Sequence, residues 1–179
     1  MKILMLTGSP HVNGSTALLA DNFCAGAEAA GHQVRRVNCA KLNIRPCLGC
    51  ESCRQPGQSC VHQDDMAQLY PLLREAEAMA LVTPLYYFGM SAQLKTVIDR
   101  FFAINGELRQ TRRQALLLAA CGDEDSWAMD SLTSHYDLLC RYMNWDDKGR
   151  VLAYGAYTRE DMEKNTAALD QARSLAAGL

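Results

Sequence analysis

The sequence predicts a three-layer α/β fold, with a five-stranded parallel sheet of order 2-1-3-4-5 covered by helices on both faces. Two observations predict it. Short apolar runs alternate with segments whose apolar residues recur at helical spacing, and strands alternating with helices imply a parallel sheet buried on both sides. The chain has 179 residues and is 49% hydrophobic, which suits one domain with a core that needs no staples. Right-handed crossovers limit the strand order further.

Residues 2–6 form an apolar run that closes before Gly8 and predict the first strand. Residues 15–30 carry Leu19, Phe23, Gly26, Ala27 and Ala30 at helical period, with Gly31 as a stop. A second strand is expected over 33–37. Residues 41–63 lack periodicity and hold Pro46, Gly49, Pro56, Gly57 and four cysteines. Long loops inside compact domains are usually functional or disordered. A helix is expected over 64–77, with Asp64 and Asp65 at its start and Pro71 kinking or dividing it. Strand three spans 78–83 and is stopped by Pro84. A helix follows over 91–102, with Leu94, Val97, Ile98, Phe101 and Phe102 on one face. Strand four spans 114–120, and Leu132, Tyr136, Leu139 and Met143 mark the next helix. Strand five spans 151–154 and a closing helix 160–177. No repeat, low-complexity tract or linker interrupts this order. Residues 1–179 therefore read as a single flavodoxin-like domain with a cysteine-rich loop at about 41–63. In that arrangement ligands sit beyond the carboxyl ends of the strands, at the switch between strands one and three. The loops after residues 6, 37, 83, 120 and 154 are the ones to inspect.

Composition removes several function classes. The net charge is −2, from 18 basic and 20 acidic residues, so no broad field favours nucleic acid or an anionic membrane. No apolar run approaches the roughly 18 residues of a spanning helix. The apolar part of the opening segment is shorter than a secretory core, and no small-residue cleavage site follows it. A cytoplasmic chain is expected. Of the eight cysteines, Cys24, Cys39, Cys121 and Cys140 lie among apolar neighbours and read as buried small hydrophobes. A disulfide framework suits small secreted chains without a core, so the clustered Cys47, Cys50, Cys53 and Cys60 need another explanation.

Three segments carry candidate chemistry. The loop after strand one contains Ser9, His11, Asn13, Gly14, Ser15 and Thr16 and runs into a helix. Its side-chain donors and the helix N-terminus could hold a phosphate dianion. Neither the dinucleotide glycine signature nor a Gly-Lys-Ser/Thr phosphate loop is present, so a mononucleotide phosphate fits better than a triphosphate. An ordinary Ser/Asn-rich cap is the plain alternative. The loop after strand three, Thr83-Pro84-Leu85-Tyr86-Tyr87-Phe88-Gly89, puts three aromatics at the same crevice. They could flank a planar ring or meet a dimer partner. The cysteines follow Cys-x2-Cys-x2-Cys-x6-Cys, and the compact triplet is the spacing that supplies three thiolates to one [4Fe–4S] cluster. Structural zinc usually takes two pairs with a longer spacer, and metal-free redox thiols are the third reading. His62 is a further potential ligand, though a solvated loop histidine is the simpler reading. Asp99-Arg100 reads as a local ion pair, His32 and His135 have no partner at metal or triad spacing, and Asp123-Glu124-Asp125 reads as a solvated acidic turn. No catalytic side chain is assigned.

Taken together, Gly8-Ser9-Pro10…Gly14-Ser15-Thr16, Pro46-Cys47-Leu48-Gly49-Cys50…Cys53…Cys60 and Thr83-Pro84-Leu85-Tyr86…Met90-Ser91-Ala92-Gln93-Leu94-Lys95…Asp99-Arg100 resemble the NAD(P)H-dependent FMN reductases and iron–sulfur flavoproteins of the flavodoxin-like superfamily. The resemblance is strongest over residues 1 to about 125. It implies that the first loop binds the FMN phosphate and that residues 83–89 line the isoalloxazine. It implies further that Cys121, Gly122 and Asp123 close the other side. It also implies Cys47, Cys50, Cys53 and Cys60 as [4Fe–4S] ligands, with Arg45 and Arg54 opposing the cluster's negative charge. The family often has Gly-Asn-Thr where this chain has Gly14-Ser15-Thr16, and Arg or Lys where it has His11. Neutral His offers less charge, so weaker FMN binding is expected. The implied reaction moves electrons from NAD(P)H through FMN to a small acceptor such as a quinone, free flavin or oxygen. A ferredoxin-type carrier would serve a cluster, and the family's habit implies a homodimer or homotetramer. A cluster-free NAD(P)H:quinone or FMN reductase, a flavodoxin-type carrier and a thiol-based sensor are the alternatives. The near-neutral charge counts against the carrier.

Overall fold

The computed structural model describes residues 1–179. Five strands form one parallel sheet in the order β2-β1-β3-β4-β5. They are β1 (Lys2–Thr7), β2 (Gln33–Asn38), β3 (Ala78–Pro84), β4 (Arg113–Ala120) and β5 (Trp145–Ala153). The helices are α1 (Ser15–Ala29), α2 (Met66–Glu75), α3 (Ala92–Asp99), α4 (Asn105–Gln110), α5 (Asp130–Met143), α6 (Arg159–Lys164) and α7 (Thr166–Ala177).

Strand alternation sends successive side chains to opposite faces. Ile3 and Met5 enter a core with Phe23 of α1, Met162 of α6 and Ala172 of α7. Leu4 and Leu6 enter the larger core with Leu69 of α2, Leu94 of α3 and Tyr136 of α5. Strands buried on both faces read as continuous apolar runs, and all but the last residue of β3 are buried. No helix is long and apolar enough to cross a membrane.

Several expected bounds change. The helix expected over 91–102 ends as α-helix at Asp99, passes through a 3₁₀ turn at Arg100–Ile104 and continues as α4. Pro71 lies inside α2 without dividing it; buried Leu69 and Leu73 hold the helix on the core. β5 starts at Trp145, six residues before the expected strand. The polar 146–149 stretch hid it: this is an edge strand, where charge is tolerated, and its register shifts opposite Ala115 and Leu116. The closing helix is two helices, because Asn165 leaves helical geometry and its side chain accepts from the Ala168 N–H to cap α7. Of the four scattered cysteines, Cys39, Cys121 and Cys140 are buried, while Cys24 is only half-buried. Burial pushes the Cys39 thiol up to about 12. It raises Cys140 to about 11.

Candidate functional site

A cleft of about 890 Å³ opens beyond the carboxyl ends of β1, β3, β4 and β5. Its first wall is the β1–α1 loop: Ser9, His11, Asn13, Gly14, Ser15 and Thr16 all line it. Ser9 Oγ accepts from the His11 N–H at 3.1 Å, which folds the loop back on itself. α1 has no side-chain cap. The Ser15 and Thr16 amides donate to no acceptor in the protein, although Ser15 is only 8% and Thr16 only 4% exposed. The first amides of any helix lack intrahelical partners, and where they line a cleft, as here, they form an anion site. The Ser15 hydroxyl is otherwise engaged: it donates to the Ala156 carbonyl at 2.7 Å. The Thr16 hydroxyl makes no hydrogen bond within the protein.

The motif residues beside this loop hold it in place. A Cβ on Gly8 would lie 2.4 Å from Ser91 Oγ and 2.7 Å from Leu94 Cβ, so only glycine fits there. Ser91 Oγ donates to the Gly8 carbonyl at 2.7 Å and accepts from the Leu94 N–H, joining the first loop to the start of α3.

In the second wall, Pro84, Leu85 and Tyr86 line the cleft. The rest of the expected aromatic wall lies elsewhere. Thr83 is fully buried; its hydroxyl donates to the Pro84 carbonyl and accepts from the Ser91 N–H. Tyr86 and Gly89 exchange two backbone bonds of 3.1 Å around Tyr87 and Phe88, both of which have positive φ. This tight turn points Tyr87 wholly into solvent and stacks Phe88 on Trp127 at 5.4 Å. Gly89 does not reach the cleft surface.

The third wall contains Cys121 and Gly122; Asp123, expected with them, does not line the cleft. Cys121 Sγ donates to the Asp123 carbonyl, and burial raises its pKa, so it presents a thiol rather than a thiolate. The Asp123 carbonyl also accepts from the Gly155 N–H, and the Cys121 carbonyl from the Ala156 N–H. These bonds bring Ala156, Tyr157, Thr158 and Arg159 to the cleft as a fourth wall. Sequence reasoning identified the loop after residue 154 by topology but named no residue in it. No side chains in the cleft form a triad or a pair of carboxylates.

The second cluster lies in the loop between β2 and α2. Cys47, Cys50, Cys53 and Cys60 line one small pocket with Phe102. All four are free thiols; Cys47 and Cys50 are exposed, Cys53 and Cys60 half-buried. Burial raises the Cys53 pKa, and the nearby charges of Cys60, Cys47 and Cys50 raise it further. Hydrogen bonds from the Ser52 amide and hydroxyl lower Cys50. No three His, Cys, Asp or Glu side chains gather closely enough to hold a single ion. Four thiols are the donor type that an iron–sulfur cluster takes, and here they line one pocket without gathering into an assembled site. His62 Nε2 instead meets the Pro46 carbonyl at 3.1 Å. Arg54 faces Glu51 at 3.5 Å. The expected Asp99–Arg100 pair does not form: Asp99 pairs with Lys95, and Arg100 pairs with Asp64.

Residues 1–144 match the family model described as NADPH-dependent FMN reductase. An iron–sulfur flavoprotein of Archaeoglobus fulgidus is 37% identical over 100 residues, covering 56% of this chain and 45% of its own. An iron–sulfur flavoprotein of Methanocaldococcus jannaschii is 29% identical over 142 residues, covering 78% of this chain and 71% of its own. The chain spans about half the length of the first iron–sulfur flavoproteins it matches. Among solved structures, an NAD(P)H:quinone oxidoreductase from Methanothermobacter marburgensis aligns with a TM-score of 0.74 at 22% identity. That alignment covers 98% of this chain and 96% of the other.

Proposed function

The chain belongs to the NADPH-dependent FMN reductase family, and from that premise we propose a cytoplasmic flavin oxidoreductase built as one domain over residues 1–179. It would bind FMN noncovalently in the cleft, take electrons from NAD(P)H and give them to a small acceptor such as a quinone, free flavin or oxygen. The observation that carries this reading is the pair of unpaired amides of Ser15 and Thr16, which line the cleft at the start of α1. They suit a phosphate dianion, while Pro84, Leu85, Tyr86, Cys121 and Gly122 bound the space for a planar ring. Bound FMN would supply the hydride and single-electron chemistry. The protein's work is placement. Ser9 shapes the loop, Gly8 and Ser91 lock it to α3, and the 156–159 segment supplies a further wall of the cleft that would hold FMN.

In the same reading Cys47, Cys50, Cys53 and Cys60 hold a [4Fe–4S] cluster, which would exchange single electrons with a ferredoxin-type carrier. The exposure of Cys47 and Cys50 favours a second reading, in which the reductase has no cluster and the loop carries free thiols. Tyr87, Phe88 and Trp127, exposed beside the cleft, support a homodimer or homotetramer.

An absorption spectrum of protein purified without oxygen tests the proposal. Flavin bands over broad iron–sulfur absorbance are expected. Flavin bands alone select the second reading. A spectrum with neither, after added FMN, overturns the flavin assignment.

A further inference from the structure

Arg100 is among the most buried side chains in the molecule, and its charge is paired with Asp64: the two are 1% and 3% exposed. Nη1 donates to Asp64 Oδ2 at 2.7 Å and to the Arg45 carbonyl at 2.8 Å; Nη2 donates to Asp64 Oδ1 at 3.2 Å. The Arg45 N–H donates in turn to Asp64 Oδ2 at 3.0 Å. Arg45 and Asp64 are the two ends of the segment that carries the four cysteines. One guanidinium therefore closes its neck.

Two weaker rungs flank this one. The Asn43 N–H donates to Asp65 Oδ2 at 2.7 Å, and the Asp65 N–H donates to the Asn43 carbonyl at 3.2 Å. On the head side, His62 meets the Pro46 carbonyl. The same 3₁₀ turn that inserts Arg100 into the neck carries Phe102, which walls the thiol pocket. One turn thus supplies both the clasp of the neck and a wall of the pocket.

A buried ion pair is weak evidence for stability, because apolar residues of similar volume often serve as well. What such a pair does supply is a fixed geometry. Lysine offers a point charge on a flexible stem and lacks the planar two-nitrogen fork that holds Asp64 through both its oxygens.

We propose that Arg100 is the positioning residue of the cysteine site: it cinches the 45–64 segment so that Cys47, Cys50, Cys53 and Cys60 face one pocket. This rests on reading those four as a ligand set. Arg100 acts through Asp64 and the Arg45 carbonyl and is not itself a ligand.

The test uses the full chain and Arg100→Lys, each reconstituted without oxygen with ferrous iron, sulfide and FMN. Iron retained against a chelator and FMN per chain are measured together. In Arg100→Lys, iron retention is expected to fall roughly 10–100-fold, the usual cost of losing an outer-shell partner, while FMN per chain stays at the wild-type value. Unchanged iron retention, or a parallel loss of iron and FMN, overturns the proposal. If wild type takes up no iron, the ligand-set reading fails, and amide exchange decides the positioning role. Faster exchange confined to residues 46–63 in Arg100→Lys supports it; unchanged exchange there overturns it. Asp64→Asn, which keeps the shape but loses the charged fork, replaces Arg100→Lys if the latter does not fold.

Discussion

The phosphate pocket can be tested by deleting the phosphate from the ligand instead of a group from the protein. Riboflavin is FMN without that group. The cleft offers it the unpaired Ser15 and Thr16 amides and the unengaged Thr16 hydroxyl. A hydrogen bond to a charged acceptor contributes about 1.5–3 kcal/mol net. The start of α1 adds about 0.3–1 kcal/mol for a negative charge. Taking the low end for each, the phosphate contributes about 4–5 kcal/mol, or roughly a thousandfold in affinity. Quenching of flavin fluorescence on titration measures both dissociation constants. Thr16→Ala then removes one donor. It should weaken FMN roughly tenfold and leave riboflavin unchanged. Riboflavin and FMN binding within about threefold of each other would refute the assignment, since that ratio is under 1 kcal/mol. So would a Thr16→Ala loss of equal size for both ligands, which would mean a general disturbance of the loop.

Two further outcomes test the frame around the site. Gly26→Ala would place a Cβ 2.1 Å from the Arg173 carbonyl oxygen and 2.9 Å from two other backbone atoms of α7. Backbone cannot step aside, so overpacking of about 1–3 kcal/mol should outweigh the helix propensity gained; thermal melting should register it as a lower Tm, and an unchanged Tm would mean that α1 and α7 separate freely. Burial alone would raise the Asp64 pKa, but hydrogen bonds from Arg100 and the Arg45 and Met66 amides hold it below the usual carboxylate range. Its contribution is therefore complete above about pH 4, the unfolded value, and is lost as pH falls through the lower folded value. Urea melts from pH 6 to pH 2 should show wild type losing more stability than Asp64→Asn; parallel curves would contradict the sign.

The sheet order was legible because it follows from apolar alternation, which the sequence displays directly. β1, β3 and β4 are buried on both faces, and their runs carry no polar interruption that could mislead. β5 was half hidden, since an edge strand needs only its inner residues apolar. Asp146, Asp147 and Lys148 face outward in ion pairs with neighbouring charges. The first loop was legible for a related reason: donors and glycines cluster there in sequence as they do in space. The segment 156–159 was not, because nothing in Ala-Tyr-Thr-Arg announces a cleft. It reaches the site through backbone bonds to Cys121 and Asp123, and backbone bonds leave no residue signature.

Arg100 illustrates the sharper limit. Read along the chain, Asp99 beside Arg100 suggests a pair, yet adjacent residues on a helix do not face each other. Asp99 instead meets Lys95, one turn away, at 2.6 Å, on the exposed side. Arg100 is turned inward by the same helical geometry, and its charge then has to find a partner in the core. Asp64 supplies it from the far end of the cysteine loop. The two residues look unrelated in sequence: one resembles a helix cap, the other a helix end. Asp64 does both jobs, since its Oδ1 also accepts the Met66 N–H that opens α2. A side chain that caps one helix and pairs with the end of another fixes the separation of the two. The loop between them inherits that fixed span, which is why its four thiols can share one pocket without a disulfide to hold them.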